Sequence, residues 1–221
     1  DLINLAQYDN TKNNTFKSWL SAVRNETLGG RTIISTHEDR PNNWGTHAGA
    51  TRVAIDRYIG DTVDLDNAAK VFEGWLGNRA VYSSFSYGDL WWQSDPLNPV
   101  GINPTGATIQ GHNVDGVLPD DQRRGCSFVW PPCKENYTWE ALQGATVQAQ
   151  LLSRAGYNVW NWSDKAMLRS IVWLYNVDQF PPTGDDVFIP WVINKAYGTS
   201  FSVVSPIAIG KNMSYTDWSH K

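Results

Sequence analysis

Apolar residues recur every three or four positions in several separate stretches of the chain, a spacing that places them on one face of an α-helix. Gly60 and Gly77 follow two of these stretches, and glycine commonly ends a helix because it adopts the left-handed conformation easily. Trp162-Ser163-Asp164 predicts a capped helix start, and only residues 201–209 (FSVVSPIAI) have a strand-like pattern. The sequence therefore predicts a mainly α protein. The predicted helices cover Phe16 to Val23, Ala48 to Ile59, about Leu65 to Leu76, Tyr137 to Ala155, Asp164 to Tyr175 and about Phe188 to Tyr197.

Residues 78–133 interrupt this helical pattern with a high density of Gly, Pro, Asn and Asp. Loops of this length within a compact domain are usually functional, so we expect the segment to form a wall or lid of a cleft. No Gly/Ser-rich or charge-rich linker divides the chain, which predicts a single domain over residues 1–221. Helical hairpins with long loops on one face favour an α/α toroid that is open or is completed by further sequence.

The composition favours a carbohydrate ligand. The chain has 12 Trp, 9 Tyr and 7 Phe, and flat aromatic rings stack well on sugar faces. A net charge of −4 gives no reason to expect nucleic acid or an anionic membrane as a partner. No apolar run reaches the roughly 18 residues of a membrane-spanning helix. We therefore expect a polysaccharide as the partner. We also expect the protein to be a monomer.

Cysteine and asparagine positions suggest a secreted protein. Cys126 and Cys133 flank a stiff segment with two prolines, which could bring the sulfurs together in a small disulfide loop. Asparagines stand in N-x-S/T glycosylation motifs more often than expected for a cytosolic protein. The chain contains no signal peptide, so we interpret it as a mature extracellular protein. The glycosylation motifs lie at Asn13, Asn25, Asn136, Asn161 and Asn212.

The stretch HEDRPNNWGTHAGATR, residues 37–52, holds the first group of candidate functional residues. Pro41 suits the first turn of a helix, and Asn42 or Asn43 could cap that helix. If Asn43 is helical, His47 lies one turn further along the same face, so an amide and an imidazole could converge on one ligand. The alternatives are an ordinary helix cap at Asn43 and a core histidine at His47.

Two further groups lie later in the chain. In residues 111–125 (GHNVDGVLPDDQRRG), His112 precedes two carboxylates and two arginines, and an arginine offers a planar fork to a carboxylate. A solvated Asp-Arg network on the surface would explain the same residues. Tyr137 opens a helix beside the cysteine loop, and a nearby arginine could stabilise its ionised form and so assist proton exchange with a sugar oxygen. An ordinary interface tyrosine is the alternative.

Other chemistries lack a motif. His37, Glu38, His47 and His112 could ligate a metal, but no HExxH or CxxC spacing organises them. No glycine-rich phosphate loop and no G-x-S-x-G nucleophile elbow is present. We therefore expect no cofactor and no metal.

RPNNWGTHAGA, GDLWWQ, LPDDQRRG, ENYTWEALQGA, WVINKAYG and TDWSH together resemble the alginate-lyase-like helical proteins, a superfamily of polysaccharide lyases with α/α-toroid folds. The resemblance runs over nearly the whole chain. It implies β-elimination in a polymer such as alginate or glucuronan. In this reaction the C5 proton of a uronic acid leaves, the 4-linked oxygen departs and an unsaturated sugar forms.

The resemblance also implies roles for individual residues. Asn43, with Asn42, would bind the uronate carboxylate, assisted by Arg123 or Arg124. His47 or His112 would act as the base, and Tyr137 would act as the acid or as both. Alginate lyases carry a histidine where this chain has Trp44, so the base must be supplied elsewhere. The tryptophans expected to stack on sugar rings are Trp44, Trp91 and Trp92.

Two other functions fit the same composition. A glycoside hydrolase on a helical scaffold would use carboxylates such as Asp120, Asp121 or Glu135 as acid and base. A non-catalytic carbohydrate-binding protein would keep the aromatic residues without the chemistry.

Overall fold

The structure, a computed structural model, describes residues 9–207 and 213–221 and is mainly helical, as the sequence predicts. We number its helices and strands in chain order. They are α1 (Asn10–Asn25), α2 (Ile33–Asp39), α3 (Asn43–Ile59), α4 (Thr62–Trp75), β1 (Thr108–Ile109), β2 (His112–Asn113), α5 (Pro119–Gln122), α6 (Tyr137–Arg154), α7 (Trp162–Asn176), α8 (Ile189–Tyr197) and α9 (Thr216–Ser219). Short 3-10 turns cover Val159–Asn161 and Gly184–Phe188.

Helix α3 begins earlier than its apolar pattern predicts, because Asn42 caps it. The Asn42 side-chain oxygen accepts a hydrogen bond from the Trp44 N–H at 3.2 Å, which satisfies one of the N–H groups that a helix start leaves unpaired. Gly60 ends α3 in the left-handed conformation, with φ of 86°, as predicted. Helix α6 begins at Tyr137, also as predicted.

Two local predictions are wrong. Ser163, Asp164 and Lys165 have φ of 48°, 55° and 57°, so the first turn of α7 is left-handed and Asp164 does not begin a capped right-handed helix. Arg169 holds this turn by donating to the carbonyls of Ser163 and Asp164 at 3.0 and 3.1 Å. The strand-like run forms no strand over residues 201–207, and its last two residues lie outside the described ranges.

Helices α3 and α6 pack side by side in parallel, so both begin at the same end of the molecule. Asn43 contacts Glu140 near the two starts, and Arg57 donates to the Leu151 carbonyl near the two ends. Gly144 permits the close approach, because a Cβ there would lie 2.5 Å from the His47 backbone nitrogen. The pair therefore places the first turns of two helices, with their positive dipole ends, next to each other.

The long segment between α4 and α6 is held by specific side-chain bonds. Asn103 donates to the Trp92 carbonyl at 2.9 Å, and the Gln93 side chain bonds both backbone groups of Val100. Strands β1 and β2 form a two-residue hairpin, with Ile109 opposite His112. The segment is thus ordered around the buried indole of Trp92, but none of residues 78–133 lines the polar cleft beside α3 and α6, so the expected wall or lid is not found at that cleft.

A buried ionic network joins α1, α2, α3 and α4. The Arg52 guanidinium binds both oxygens of Asp64, at 3.0 and 2.6 Å, and Arg24 donates to Asp56 at 2.5 Å. Burial, followed by the charge of Arg52, lowers the pKa of His37 to about 3, so His37 is neutral. Burial is the largest influence on Asp56 and raises its pKa to about 7. This network fixes α3 against α1, α2 and α4.

Candidate functional site

A cleft of about 430 Å³ opens beside the first turns of α3 and α6. The other wall is the 3-10 turn that precedes α8. The cleft is lined by His47, Asn136, Glu140, Gln143, Thr183, Gly184, Asp185 and Asp186. The lining is polar and includes three acidic residues, Glu140, Asp185 and Asp186, so it suits a ligand with hydroxyl groups rather than an apolar ligand.

Asn43 and His47 both contact Glu140. The Asn43 side-chain N–H donates to Glu140 Oε2 at 3.1 Å, and His47 Nε2 lies 3.0 Å from the Glu140 backbone carbonyl oxygen. The predicted spacing of Asn43 and His47 along one helix face therefore brings both residues to the same partner. Glu140 itself was missed by the sequence analysis, although it lies one turn after Tyr137 on α6 and the spacing could have identified it.

The contact with Glu140 fixes the tautomer of His47. A carbonyl oxygen only accepts hydrogen bonds, so His47 Nε2 must carry a proton. In the neutral ring, Nδ1 is then the nitrogen with the basic lone pair. If His47 acts as a base, the atom that takes the proton is Nδ1.

The two neighbouring arginines have different environments. The Arg124 guanidinium lies 4.4 Å from the centre of the Tyr137 ring, a cation–π contact, and among the described residues it makes no ion pair within 4.0 Å. Arg123 instead donates from Nε to Asp120 at 2.8 Å and lies 3.6 Å from Asp89. Of the two, Arg124 is therefore the residue that can offer its charge to a ligand near Tyr137.

Asp120 and Asp121, in the short helix α5, hold the start of α3. Asp120 Oδ2 accepts from the Asn42 side chain at 3.1 Å, and Asp121 Oδ1 accepts from the Asn43 backbone N–H at 3.0 Å. Both carboxyl groups are buried, and burial raises the pKa of Asp121 well above its usual value. Both ends of the Asn42 amide are used within the protein, so Asn42 is a cap rather than a substrate-binding residue.

Two of the three hydrolase residues predicted from the sequence are buried and are not available for acid–base catalysis. Asp120 and Asp121 are 3% and 0% exposed and are occupied by the contacts to α3. Glu135 Oε1 accepts the Tyr137 backbone N–H at 2.9 Å and so caps α6. The hydrolase roles of Asp120 and Asp121 are therefore wrong, and that of Glu135 stays a prediction.

His112 lies apart from the cleft lining. Its ring stacks on Trp130, with centroids 4.4 Å apart and planes at 12°, in the hairpin beside the disulfide loop. The contacts in the described part of the chain do not connect it to Asn43, His47 or Glu140, and it is not among the cleft-lining residues. The structure thus separates the two histidines proposed as base and associates only His47 with the cleft.

The three candidate stacking tryptophans differ in exposure. Trp44 is 61% exposed and lines a separate groove of about 500 Å³ with Leu28 and Ile33. Trp91 is 49% exposed, whereas Trp92 is fully buried and donates to the Cys126 carbonyl at 2.9 Å. The assignment of Trp92 to substrate stacking is therefore wrong. Trp139 and Trp173 are also buried, so part of the high tryptophan content serves the core.

Cys126 and Cys133, seven positions apart, form a disulfide, as predicted. Asn25, Asn136 and Asn161 are exposed, and the side-chain oxygen of the partly buried Asn13 accepts from the Tyr58 hydroxyl at 2.8 Å. Asn212 lies outside the described residues. Over the described ranges, the helices are too short or too polar to cross a membrane.

In comparisons with family models, with curated proteins and with solved structures, nothing matches the chain. Its function must therefore be argued from the cleft itself. Within residues 9–207 and 213–221, no group of three or more His, Cys, Asp or Glu side chains is arranged to hold a metal ion.

Proposed function

We propose that the protein is a polysaccharide lyase that cleaves a uronic-acid-containing polymer, such as alginate or glucuronan, by β-elimination. One observation carries this proposal. Asn43 and His47 of α3 share Glu140 as a partner, and Glu140 lies one turn after Tyr137, which Arg124 covers. Of these residues, His47 and Glu140 line the cleft, Asn43 contacts Glu140, and Tyr137 and Arg124 lie at the start of α6 outside the cleft lining. These groups match the needs of a uronate elimination.

The first need is to neutralise the uronate carboxylate, because this makes the C5 proton acidic. The Asn43 amide has two N–H groups, and Glu140 uses one of them, which leaves the other for the substrate. Arg124 adds a positive charge with a planar donor fork. The positive dipole ends of α3 and α6 lie at the same end of the molecule and favour a negative ligand there.

The second need is proton transfer. In the elimination His47 Nδ1 takes the C5 proton, and the electrons of the C5–H bond form the C4–C5 double bond. The bond between C4 and the glycosidic oxygen breaks, and the Tyr137 hydroxyl donates its proton to the departing oxygen. His47 and Tyr137 then exchange protons with water to restore the starting state.

We also propose that α3 and α6 belong to the inner layer of an α/α toroid and that the protein acts outside the cell. Parallel neighbouring helices whose first turns face one cleft suit the first point. The disulfide and the exposed asparagines of the glycosylation motifs suit the second.

The test is product formation from a panel of polymers. The protein is incubated with alginate, glucuronan, polygalacturonate and a neutral glucan, and the ultraviolet absorbance of the unsaturated uronate is followed. We expect a rise with at least one acidic polymer and none with the glucan. The Tyr137→Phe variant should lose turnover while still binding the polymer, and Tyr58→Phe serves as a control away from the cleft. Wild-type protein that binds an acidic polymer without cleaving it would instead indicate a carbohydrate-binding protein.

A glycoside hydrolase remains a second candidate because three carboxylates, Glu140, Asp185 and Asp186, line the cleft. Such an enzyme would release new reducing ends without an unsaturated sugar. In that case Glu140→Gln should abolish cleavage, whereas Tyr137→Phe should have little effect on it. The nature of the product therefore separates the two enzymes before any variant is made.

A further inference from the structure

Asp121 is in an unusual position for a carboxyl group. It is 0% exposed, it lies in the four-residue helix α5, and its Oδ1 accepts the backbone N–H of Asn43. The other oxygen, Oδ2, is buried and has no hydrogen-bond partner among the described residues. An ionised carboxylate in this position would leave much of its charge without a donor.

The Asn43 side chain also contains a buried oxygen without a hydrogen-bond donor among the described residues. Its side-chain N–H is bonded to Glu140. Buried polar atoms are nearly always hydrogen-bonded, so two orphaned acceptors on a pair of bonded residues require an explanation. A proton on the Asp121 carboxyl would turn one of these acceptors into a donor.

The charges around Asp121 favour such a proton. Asp120 stands next to it, and its negative charge is already compensated by the Gly88 N–H, the Asn42 amide and Arg123. Burial is the main effect that disfavours a negative charge at Asp121, and repulsion from Asp120 adds to it. Arg123 and Arg124 oppose it, but Arg123 is bonded to Asp120 and Arg124 lies over Tyr137.

We propose that Asp121 is a positioning residue which, as an un-ionised acid, accepts from the Asn43 backbone and donates to the Asn43 side-chain oxygen. The two bonds would fix both the helix start and the direction of the Asn43 amide, which donates to the cleft-lining Glu140. The catalytic consequence of this positioning rests on the proposed lyase function. The protonation state of Asp121 does not, since it concerns the protein without substrate.

The substitutions Asp121→Asn and Asp121→Ala separate the roles of shape and charge. Asparagine keeps one acceptor and supplies an N–H donor, so it imitates an un-ionised acid, whereas alanine removes both bonds. We expect Asp121→Asn to fold and to retain activity. Asp121→Ala should lose about a hundredfold in kcat/KM, as small displacements of a positioned group do. A nearly neutral effect of alanine, or an equal loss with asparagine, would overturn the proposal.

Infrared difference spectroscopy at neutral pH gives a second measurement that needs no activity. At neutral pH the wild type should show carbonyl bands of protonated carboxylic acids, to which Asp56 contributes because burial raises its pKa to about 7. The component due to Asp121 should disappear in Asp121→Asn but persist in Asp120→Asn and in Asp56→Asn. If Asp121→Asn removed no carbonyl component, the proposal would be overturned even if Asp121→Ala failed to fold. Should the wild type cleave no polymer, the lyase assignment fails, while the infrared result still decides the state of Asp121.

Discussion

The guanidinium of Arg124 lies over the face of the Tyr137 ring, 4.4 Å from its centre, while its neighbour Arg123 is bound to Asp120. The neighbouring residues Arg123 and Arg124 therefore have different roles. Arg123 maintains the packing of α5, and Arg124 is directed toward the start of α6. The two arginines cannot be distinguished from sequence alone, because both stand in the same polar stretch.

We predict that Arg124→Ala lowers kcat/KM on a cleavable uronate polymer by about 10²–10³-fold, because it removes a charge that stabilises the developing anion. Arg124→Lys keeps the charge but loses the planar fork, so its activity should be intermediate. Steady-state kinetics with thermal unfolding as a control measure both effects, and the melting temperature of Arg124→Ala should change little. Unaltered kinetics would remove Arg124 from the mechanism.

Arg123→Ala is the matched variant, and we expect it to reduce the stability of the protein. It leaves the buried Asp120 carboxylate without its ionic partner, which should cost about 3 kcal/mol in the free energy of unfolding. Urea unfolding measures this cost. If Arg123→Ala were as stable as the wild type, the assignment of Arg123 to packing would be wrong.

His47→Gln should lower kcat by about 10²–10⁴-fold, the usual contribution of a general base. Addition of imidazole to a His47→Ala variant should restore part of the rate, because a small base can occupy the space left by the ring. The control is His112→Gln, whose ring stacks on Trp130 away from the cleft lining, and it should cleave like the wild type. If His112→Gln lost activity and His47→Gln did not, the two residues would have to exchange roles.

Gly144→Ala should destabilise the protein by about 1–3 kcal/mol, because overpacking forces the backbone to shift. The added Cβ would lie 2.5 Å from the His47 backbone nitrogen, so α3 and α6 must move apart. Urea unfolding and the rate of polymer cleavage should both decline. Ser153→Ala, near the end of α6, is the control and should change neither the free energy of unfolding nor the cleavage rate. If Gly144→Ala also left both quantities unchanged, the close packing of α3 and α6 would be contradicted.

The sequence predicted those features that depend on local patterns. The start of α6 at Tyr137, the stop of α3 at Gly60 and the disulfide follow from apolar spacing, glycine chemistry and a short stiff loop. It also placed Asn43 and His47 on one helix face. Periodicity shows which face of a helix is buried, but it does not reveal the neighbour that covers that face.

The wrong predictions for Trp92 and Asp121 arise because both residues are buried by contacts with distant parts of the chain. Trp92 belongs to the core because the long segment folds back over it, and Asp121 is buried because α5 docks on the start of α3. Neither contact leaves a local signal in the sequence. Glu140 is the intermediate case, since its spacing from Tyr137 was visible but its contact with Asn43 depends on the packing of two distant helices.

The pH dependence of stability tests the buried ionic network. Burial and Arg52 lower the pKa of His37 from 6.5 to about 3, so the folded protein keeps this ring neutral. The unfolded chain takes up a proton on His37 as the pH falls below 6.5, and the folded protein does not. His37 therefore makes the free energy of unfolding decrease as the pH falls from 6.5 toward 3, and it contributes no pH dependence above that window.

Comparison with His37→Gln isolates this effect. Between pH 7 and pH 5 the wild type should lose about 2 kcal/mol more than the variant, from the slope of about 1.4 kcal/mol per pH unit for one proton. The pKa of Asp56, raised to about 7, acts in the opposite direction, because its contribution is present at low pH and is lost as the pH rises through 7. Asp56 is present in both proteins, so it largely cancels in the difference. Urea unfolding across this range provides the measurement, and parallel curves for the two proteins would mean that His37 is protonated in the folded state.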